Sequence, residues 1–213
     1  MLALFGCQER HYIAHAGGNI NTHMYSNSLE AVQHALENNI EYIEWDLSIT
    51  SDGQLVAWHD WQFEWTEAPT HNAFMARKIY GAFTPLDFAR MDSILKDNPQ
   101  LILVTDKISD PEIINQWWHN YKDRMWVECF RDEDYFALEK MGYHVMRSQV
   151  PPLISEAHTK IRNYVFNYQY CPVLSDRYGD CFALFGGVIN ETKADSLFSI
   201  DKRIQMVYID FYD

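Results

Sequence analysis

Tyr42-Ile43-Glu44-Trp45-Asp46-Leu47-Ser48-Ile49 reads as one β-strand with two unlike faces. Side chains alternate along a strand, so Tyr42, Glu44 and Asp46 share one face and Ile43, Trp45 and Leu47 share the other. The apolar face suits a covering layer of helices. The acidic face then points into the interior of a closed sheet. Two neighbouring carboxylates repel each other and are costly to bury without a partner. A hard divalent cation, which takes oxygen ligands, removes that cost. The competing reading is an acidic pair on a solvent-facing edge strand, and the apolar opposite face weighs against it.

Outward from this strand, strand and helix signals alternate along the chain. Strands are expected over 12–15, 42–49, 54–59, 101–106, 125–130, 143–148, 182–189 and 206–211. Helices are expected over 29–37, where Ser28 is a plausible N-cap, and over 86–96, 111–121, 133–141, 154–164 and 193–199. A loop rich in aromatic and polar residues runs from the third strand to Ala82. Such alternation argues for a parallel α/β sheet. Eight strands favour closure into a (β/α)8 TIM barrel over an open sheet. At 213 residues the barrel is small, with some helices short or missing. No linker or repeat divides residues 1–213, which read as one domain.

Composition narrows the function classes. The net charge is −13, which disfavours duplex nucleic acid and anionic membrane surfaces as partners. Hydrophobic residues make up 47% and aromatic residues 15%, enough for a large packed core. No apolar run approaches the roughly 18 residues a transmembrane helix needs. Leu4-Phe5-Gly6-Cys7 looks like the end of a bacterial lipoprotein signal, with Cys7 lipid-bearing, if translation starts upstream of Met1. Otherwise residues 1–10 are a short extension under the barrel. The first reading places the protein in the cell envelope and the second in the cytoplasm. Cys7, Cys129, Cys171 and Cys181 contain no C-x-x-C pair. Cys171 and Cys181 either pair across a polar turn or stay free thiols.

Catalytic groups of such barrels sit at the C-terminal strand ends. His15, His59-Asp60, Asp106-Lys107, Glu128, Arg147 and Asp210 occupy such positions. A histidine pair supplies a general base and a general acid near neutral pH, and either histidine is also a possible metal ligand. Trp61, Phe63 and Trp65 either line a substrate mouth or pack a loop on the barrel rim. Met91, Trp117, Trp118 and Trp126 read as core.

Taken together, Ile13-Ala14-His15-Ala16-Gly17-Gly18, Asn27-Ser28-Leu29-Glu30-Ala31, Glu44-x-Asp46, Asp52-Gly53 and His59-Asp60 resemble the glycerophosphodiester phosphodiesterase family, within the phospholipase C-like barrel group. The spacing matches over residues 12–61, with an echo in Val207-Tyr208-Ile209-Asp210. The resemblance implies that His15 and His59 are the acid–base pair. It implies that Glu44 and Asp46 bind one divalent cation, Mg²⁺ or Ca²⁺. The substrate implied is a small-molecule phosphodiester, a glycerophosphodiester or a related phospho-alcohol diester.

Two departures stand out. The family's arginine after the first histidine is Ala16 here, and Lys107 or Arg147 are the substitutes for its phosphate contact. The family's third acidic ligand precedes a lysine by two residues. Here that spacing falls on Thr105, and Asp106 is the nearest carboxylate, with Glu128 in reserve. Strict alternation puts Asp106 and Lys107 on opposite faces unless the strand end bends, and a helix cap is the plainer role for Asp106. Asp106 is assigned as third ligand and Lys107 as the substrate contact. Two other functions stay open: a lyase releasing a cyclic phosphate, and a barrel that binds a phosphorylated ligand without turnover. Oligomeric state is not legible in the sequence.

Overall fold

Eight strands pair side by side, all parallel, in the order β1-β2-β4-β5-β6-β7-β8-β9, and β9 returns to β1. The computed structural model describes residues 10–20, 22–148, 160–169 and 181–212. The strands are β1 His11–Ala14, β2 Tyr42–Ile49, β3 Leu55–Ala57, β4 Ile102–Asp106, β5 Met125–Cys129, β6 His144–Ser148, β7 Asn163–Asn167, β8 Cys181–Phe185 and β9 Ile204–Ile209. The helices are α1 Leu29–Glu37, α2 His71–Met75, α3 Phe88–Asp97, α4 Pro111–Trp118, α5 Asp132–Lys140 and α6 Glu191–Phe198. This is the closed (β/α)8 barrel expected from the alternation, and its helices are short, none of those described exceeding ten residues.

Two expected elements are corrected. The strand expected over 54–59 is β3, which lies antiparallel on β2 outside the barrel. The reason is chain length: only a tight turn, Thr50 to Gln54, joins the two strands, and a parallel crossover needs a dozen residues or more. The eighth barrel strand is instead β7, whose first two residues, Asn163 and Tyr164, close the region read as a helix over 154–164. Residues 154–159 lie outside the described residues. The segment Asn163-Tyr164-Val165-Phe166-Asn167 is aromatic and β-branched at its centre, which suits a strand buried on both faces. Cys7 and Cys171 also lie outside the described residues.

Helix starts follow local rules. Ser28, Thr70, Asp87, Asp110 and Asn190 each accept a backbone N–H of the first turn with their side chain. Pro111 occupies the first turn of α4, where its missing N–H costs nothing. The helices cover the outer faces of the strands in one core that includes Trp45, Met91 and Trp118.

The barrel interior is built in two layers. The lower layer is apolar: Ile13, Tyr42, Val104, Trp126, Met146, Val165, Ala183 and Met206, one from each strand. One pleat further along each strand, two residues on, the same face carries His15, Glu44, Asp106, Glu128, Ser148, Asn167, Phe185 and Tyr208. All eight of these line a single cavity at the C-terminal strand ends. The apolar layer is thus the floor on which the functional layer stands.

Candidate active site

Glu44, Asp46 and Asp106 converge, each offering a carboxylate oxygen within 4.8 Å of the others. The β2–β4 register explains why, because Asp46 lies directly beside Asp106 and Trp45 beside Thr105. Thr105 is therefore buried on the outer side, and Asp106 is the inward carboxylate. The opposition expected between Asp106 and Lys107 is relieved by a bend. Lys107 adopts φ 72, ending the strand, and its Nζ returns to 3.3 Å from Asp106 Oδ2. Its backbone N–H donates to Asp106 Oδ1 at 2.6 Å.

One oxygen of each buried carboxylate is already engaged. Ala16 N–H donates to Glu44 Oε2 at 2.5 Å, while Glu44 Oε1 has no partner. Asn27 Nδ2 donates to Asp46 Oδ2 at 2.8 Å, and Asp46 N–H donates to Asn27 Oδ1 at 3.0 Å. Asp46 Oδ1 is left facing His59 Nε2 at 4.0 Å. Burial, then Asp46 and Asp106, push the Glu44 carboxyl well above the ordinary carboxylate range. Burial and Asp106 likewise raise Asp46, against the opposing pull of His59 and Asn27. Three carboxylates with a buried orphan oxygen fit a hard divalent cation, which supplies the missing charge and coordination.

Both histidines reach the same cavity. His15 Nδ1 lies 3.0 Å from Asp210 Oδ1, and Ile189 N–H donates to Asp210 Oδ2 at 2.8 Å, so the acceptor is itself held rigidly. Tyr25 and Tyr208 pack edge-on against the His15 ring at 4.7 and 5.5 Å. His59 Nδ1 stands 2.8 Å from Asp60 Oδ2, and Phe63 stacks on its ring at 5.5 Å.

Lys107 lines the cavity, the one Lys or Arg among the described residues that does. Burial opposes its charge, but Asp106 and Asp46 outweigh this and hold the ammonium above its ordinary range. Arg147 is turned away. It sits between Met146 and Ser148, both on the inward face, so its own side chain points out, where Nε donates to Asp132 Oδ1 at 2.7 Å. Arg147 thus does not reach the place of the absent arginine. Glu128 lines the cavity without joining the three-carboxylate cluster. Tyr208 Oη donates to Glu128 Oε2 at 3.1 Å, and burial, with Asp106, pushes Glu128 up to about 8.

The aromatic cluster divides. Phe63 lines the cavity, Trp61 packs on Trp58 and Phe74, and Trp65 lies under the Arg77 guanidinium at 5.0 Å. Sequence reasoning missed Tyr25 and Tyr80, which enter from irregular loops, and Asn167, which came with the missed strand. Tyr208 was findable, lying two residues before Asp210 on the same face.

The pattern of the Glycerophosphoryl diester phosphodiesterase family matches residues 15–101, less than half of the 213-residue chain. No curated protein matches. Among solved structures, a glycerophosphodiester phosphodiesterase from Parabacteroides distasonis is similar at 16% identity, with 95% of this chain and 93% of that chain covered and a TM-score of 0.69. A glycerophosphodiester phosphodiesterase from Agrobacterium tumefaciens is similar at 13% identity, 95% and 96% coverage and a TM-score of 0.67. A phosphodiesterase from Oleispira antarctica, in complex with the product sn-glycerol-3-phosphate, is similar at 16% identity, 95% and 93% coverage and a TM-score of 0.67. At these identities the structural likeness speaks for the barrel, and the family pattern covers Glu44, Asp46 and both histidines. Over residues 15–101 the chain is thus similar to the glycerophosphoryl diester phosphodiesterase family, and over nearly its whole length it shares the barrel of solved phosphodiesterases.

Proposed function

We propose that this protein is a metal-dependent phosphodiesterase that hydrolyses a glycerophosphodiester or a related phospho-alcohol diester. One observation carries the reading: His15, braced by Asp210, and His59 open into the same cavity as the Glu44–Asp46–Asp106 cluster. Glu44, Asp46 and Asp106 would hold one divalent ion, Mg²⁺ or Ca²⁺. When bound, the ion polarises the phosphoryl oxygens and offsets the charge that develops on them.

The remaining work falls to side chains. Lys107 meets a phosphoryl oxygen with its ammonium, in the part left open by Ala16. With Nδ1–H directed at Asp210, His15 keeps the Nε2 lone pair toward the cavity. Nε2 takes a proton of the attacking water as its oxygen bonds to phosphorus. His59 delivers a proton to the departing alkoxide as the other P–O bond breaks. Positioned acid–base catalysis of this kind contributes about 10²–10⁴-fold.

The test is a diesterase assay on a panel of glycerophosphodiesters, with and without EDTA, on wild type, His59→Ala and Glu44→Gln. Expected is turnover that needs the ion and is lost in both variants. Wild-type protein that binds the ion and a phosphorylated ligand yet turns over no diester would overturn the enzymatic reading. Phosphorus NMR of the product separates hydrolysis from release of a persistent cyclic phosphate.

A further inference from the structure

Among the described residues, five large apolar side chains are exposed; two of them, Phe63 (71%) and Tyr80 (45%), line one cavity, and a third, Val188 (61%), is the chain neighbour of a residue that lines it. Phe63 and Tyr80 line the cavity above the carboxylates, and Val188 follows Gly187, which lines it too. Phe63 and Tyr80 come from the connection between β3 and α3, whereas Val188 comes from the connection between β8 and α6. Trp58, Phe130 and Phe185 continue the aromatic lining inward. The cavity measures about 760 Å³, in the upper half of the range for sites that bury a whole drug-sized molecule. Single exposed apolar residues need no explanation, but a group rimming a concave site marks surface that a ligand covers.

Charge at the rim narrows the ligand. Glu64, the acidic residue on this wall, is paired with Arg77 at 3.0 Å, and Arg77 also covers Trp65. An aromatic wall with an unspent carboxylate would select a quaternary ammonium. Here the carboxylate is already engaged, and the wall is left apolar.

The geometry points to an amphiphilic substrate, a phosphodiester one of whose alcohols bears an alkyl or acyl chain. The phosphate sits at the carboxylate cluster and the chain runs out along Phe63 and Tyr80, toward the exposed Val188 beside Gly187. This rests on the phosphodiesterase reading above and leaves its chemistry unchanged: water cleaves one P–O ester bond, and the chain adds binding alone. The occupant is the chain of a single substrate molecule.

The test compares glycerophosphocholine with its 1-octanoyl derivative, kept below the micelle threshold, on wild type and the double variant Phe63→Ser/Val188→Ser. Phe63 also stacks on His59, so the readout is the ratio of the two kcat/KM values, in which any disturbance of His59 cancels. Expected is a wild-type ratio of at least ten in favour of the octanoyl compound, falling toward one in the double variant. A wild-type ratio near one, or an unchanged ratio in the variant, overturns the proposal while leaving the phosphodiesterase reading intact. A rate that rises only above the micelle threshold also overturns it, assigning the rim to surface docking. If neither compound is turned over, choline diesters are excluded as substrates and the panel above decides the phosphodiesterase reading. The rim is then judged by tryptophan fluorescence during titration with the octanoyl compound in EDTA. Saturable binding that the double variant loses sustains the apolar subsite, and its absence overturns it.

Discussion

Replacing Asn27 with alanine tests whether Asp46 of the second strand is held by one side chain. Asn27 is fully buried and ties three pieces of backbone together. Its N–H donates to Ala16 O at 2.9 Å, its Nδ2 donates to Asp46 Oδ2, and its Oδ1 accepts Asp46 N–H. Alanine removes both side-chain bonds. The bond to the carboxylate is worth about 1.5–3 kcal/mol and the neutral bond about 1 kcal/mol. Asn27 also sits at φ 47, a left-handed conformation that costs alanine about 1 kcal/mol. The sum is about 4 kcal/mol. At about 2–4 °C per kcal/mol for a domain of this size, Tm falls by about 8–16 °C. Asp46 is raised by burial and by Asp106, and losing the amide donor raises it further, so affinity for a divalent ion falls as well. Thermal melts with and without Mg²⁺ read both effects. Asn27→Asp is the informative companion, because aspartate tolerates the left-handed backbone but turns a carboxylate on Asp46. If the hydrogen bonds to Asp46 carry the effect, Asn27→Asp is at least as damaging as Asn27→Ala. An Asn27→Ala protein within 1 kcal/mol of wild type, or a milder Asn27→Asp, would refute this account.

Asp210→Asn keeps the size of the side chain that faces His15 Nδ1 but removes its charge, and kcat/KM should fall about 10²–10⁴-fold in steady-state diesterase assays. Circular dichroism should stay native, and a loss under fivefold would remove Asp210 from the site. Gly186→Ala should destabilise by about 3 kcal/mol in urea melts, because φ is 116 and the new Cβ would lie 2.5 Å from Asn167 Nδ2. Gly53→Ala, at φ 80 with nothing within 4 Å, should cost only about 1 kcal/mol, so equal losses would contradict the packing argument. Glu30 feels burial that raises its carboxyl, yet donation from Thr84 N–H and Oγ1 outweighs it and the net shift is downward from 4.5. A lowered carboxyl stabilises the fold above its unfolded value and loses that contribution as pH drops through the folded one. Glu30→Gln should therefore cost about 1 kcal/mol at pH 7 and progressively less below pH 4.5, and a cost that grows with acidity would reverse the sign.

Much of the site was legible because strand periodicity is a local property. Glu44 and Asp46 face inward for the same reason that Trp45 faces out, and the outward turn of Arg147 follows from the same count against Met146 and Ser148. Ser28 capping α1 needed only its own neighbours. The hairpin from β2 to β3 was also written in the chain, since Asp52-Gly53 leaves no length for a crossover, and the end of β8 is marked by Gly186-Gly187. Strand β7 was not legible, because a short apolar run suits a helix and a buried strand alike, and only its place between β6 and β8 decides.

By itself, the sequence determined the alternating architecture and which residue types share the inner face of β2. It also carried the family resemblance over the first part of the chain. Tertiary structure decided the partners. Barrel closure sets β9 against β1, so Asp210 reaches His15 across 195 positions. The β2–β4 register sets Asp106 beside Asp46 and excludes Thr105. The left-handed turn at Lys107 then brings its ammonium back over the carboxylates, against strict alternation. Side-chain direction is fixed by each residue's own backbone, which a sequence shows. Contacts between strands far apart in the chain arise only when the sheet closes on itself.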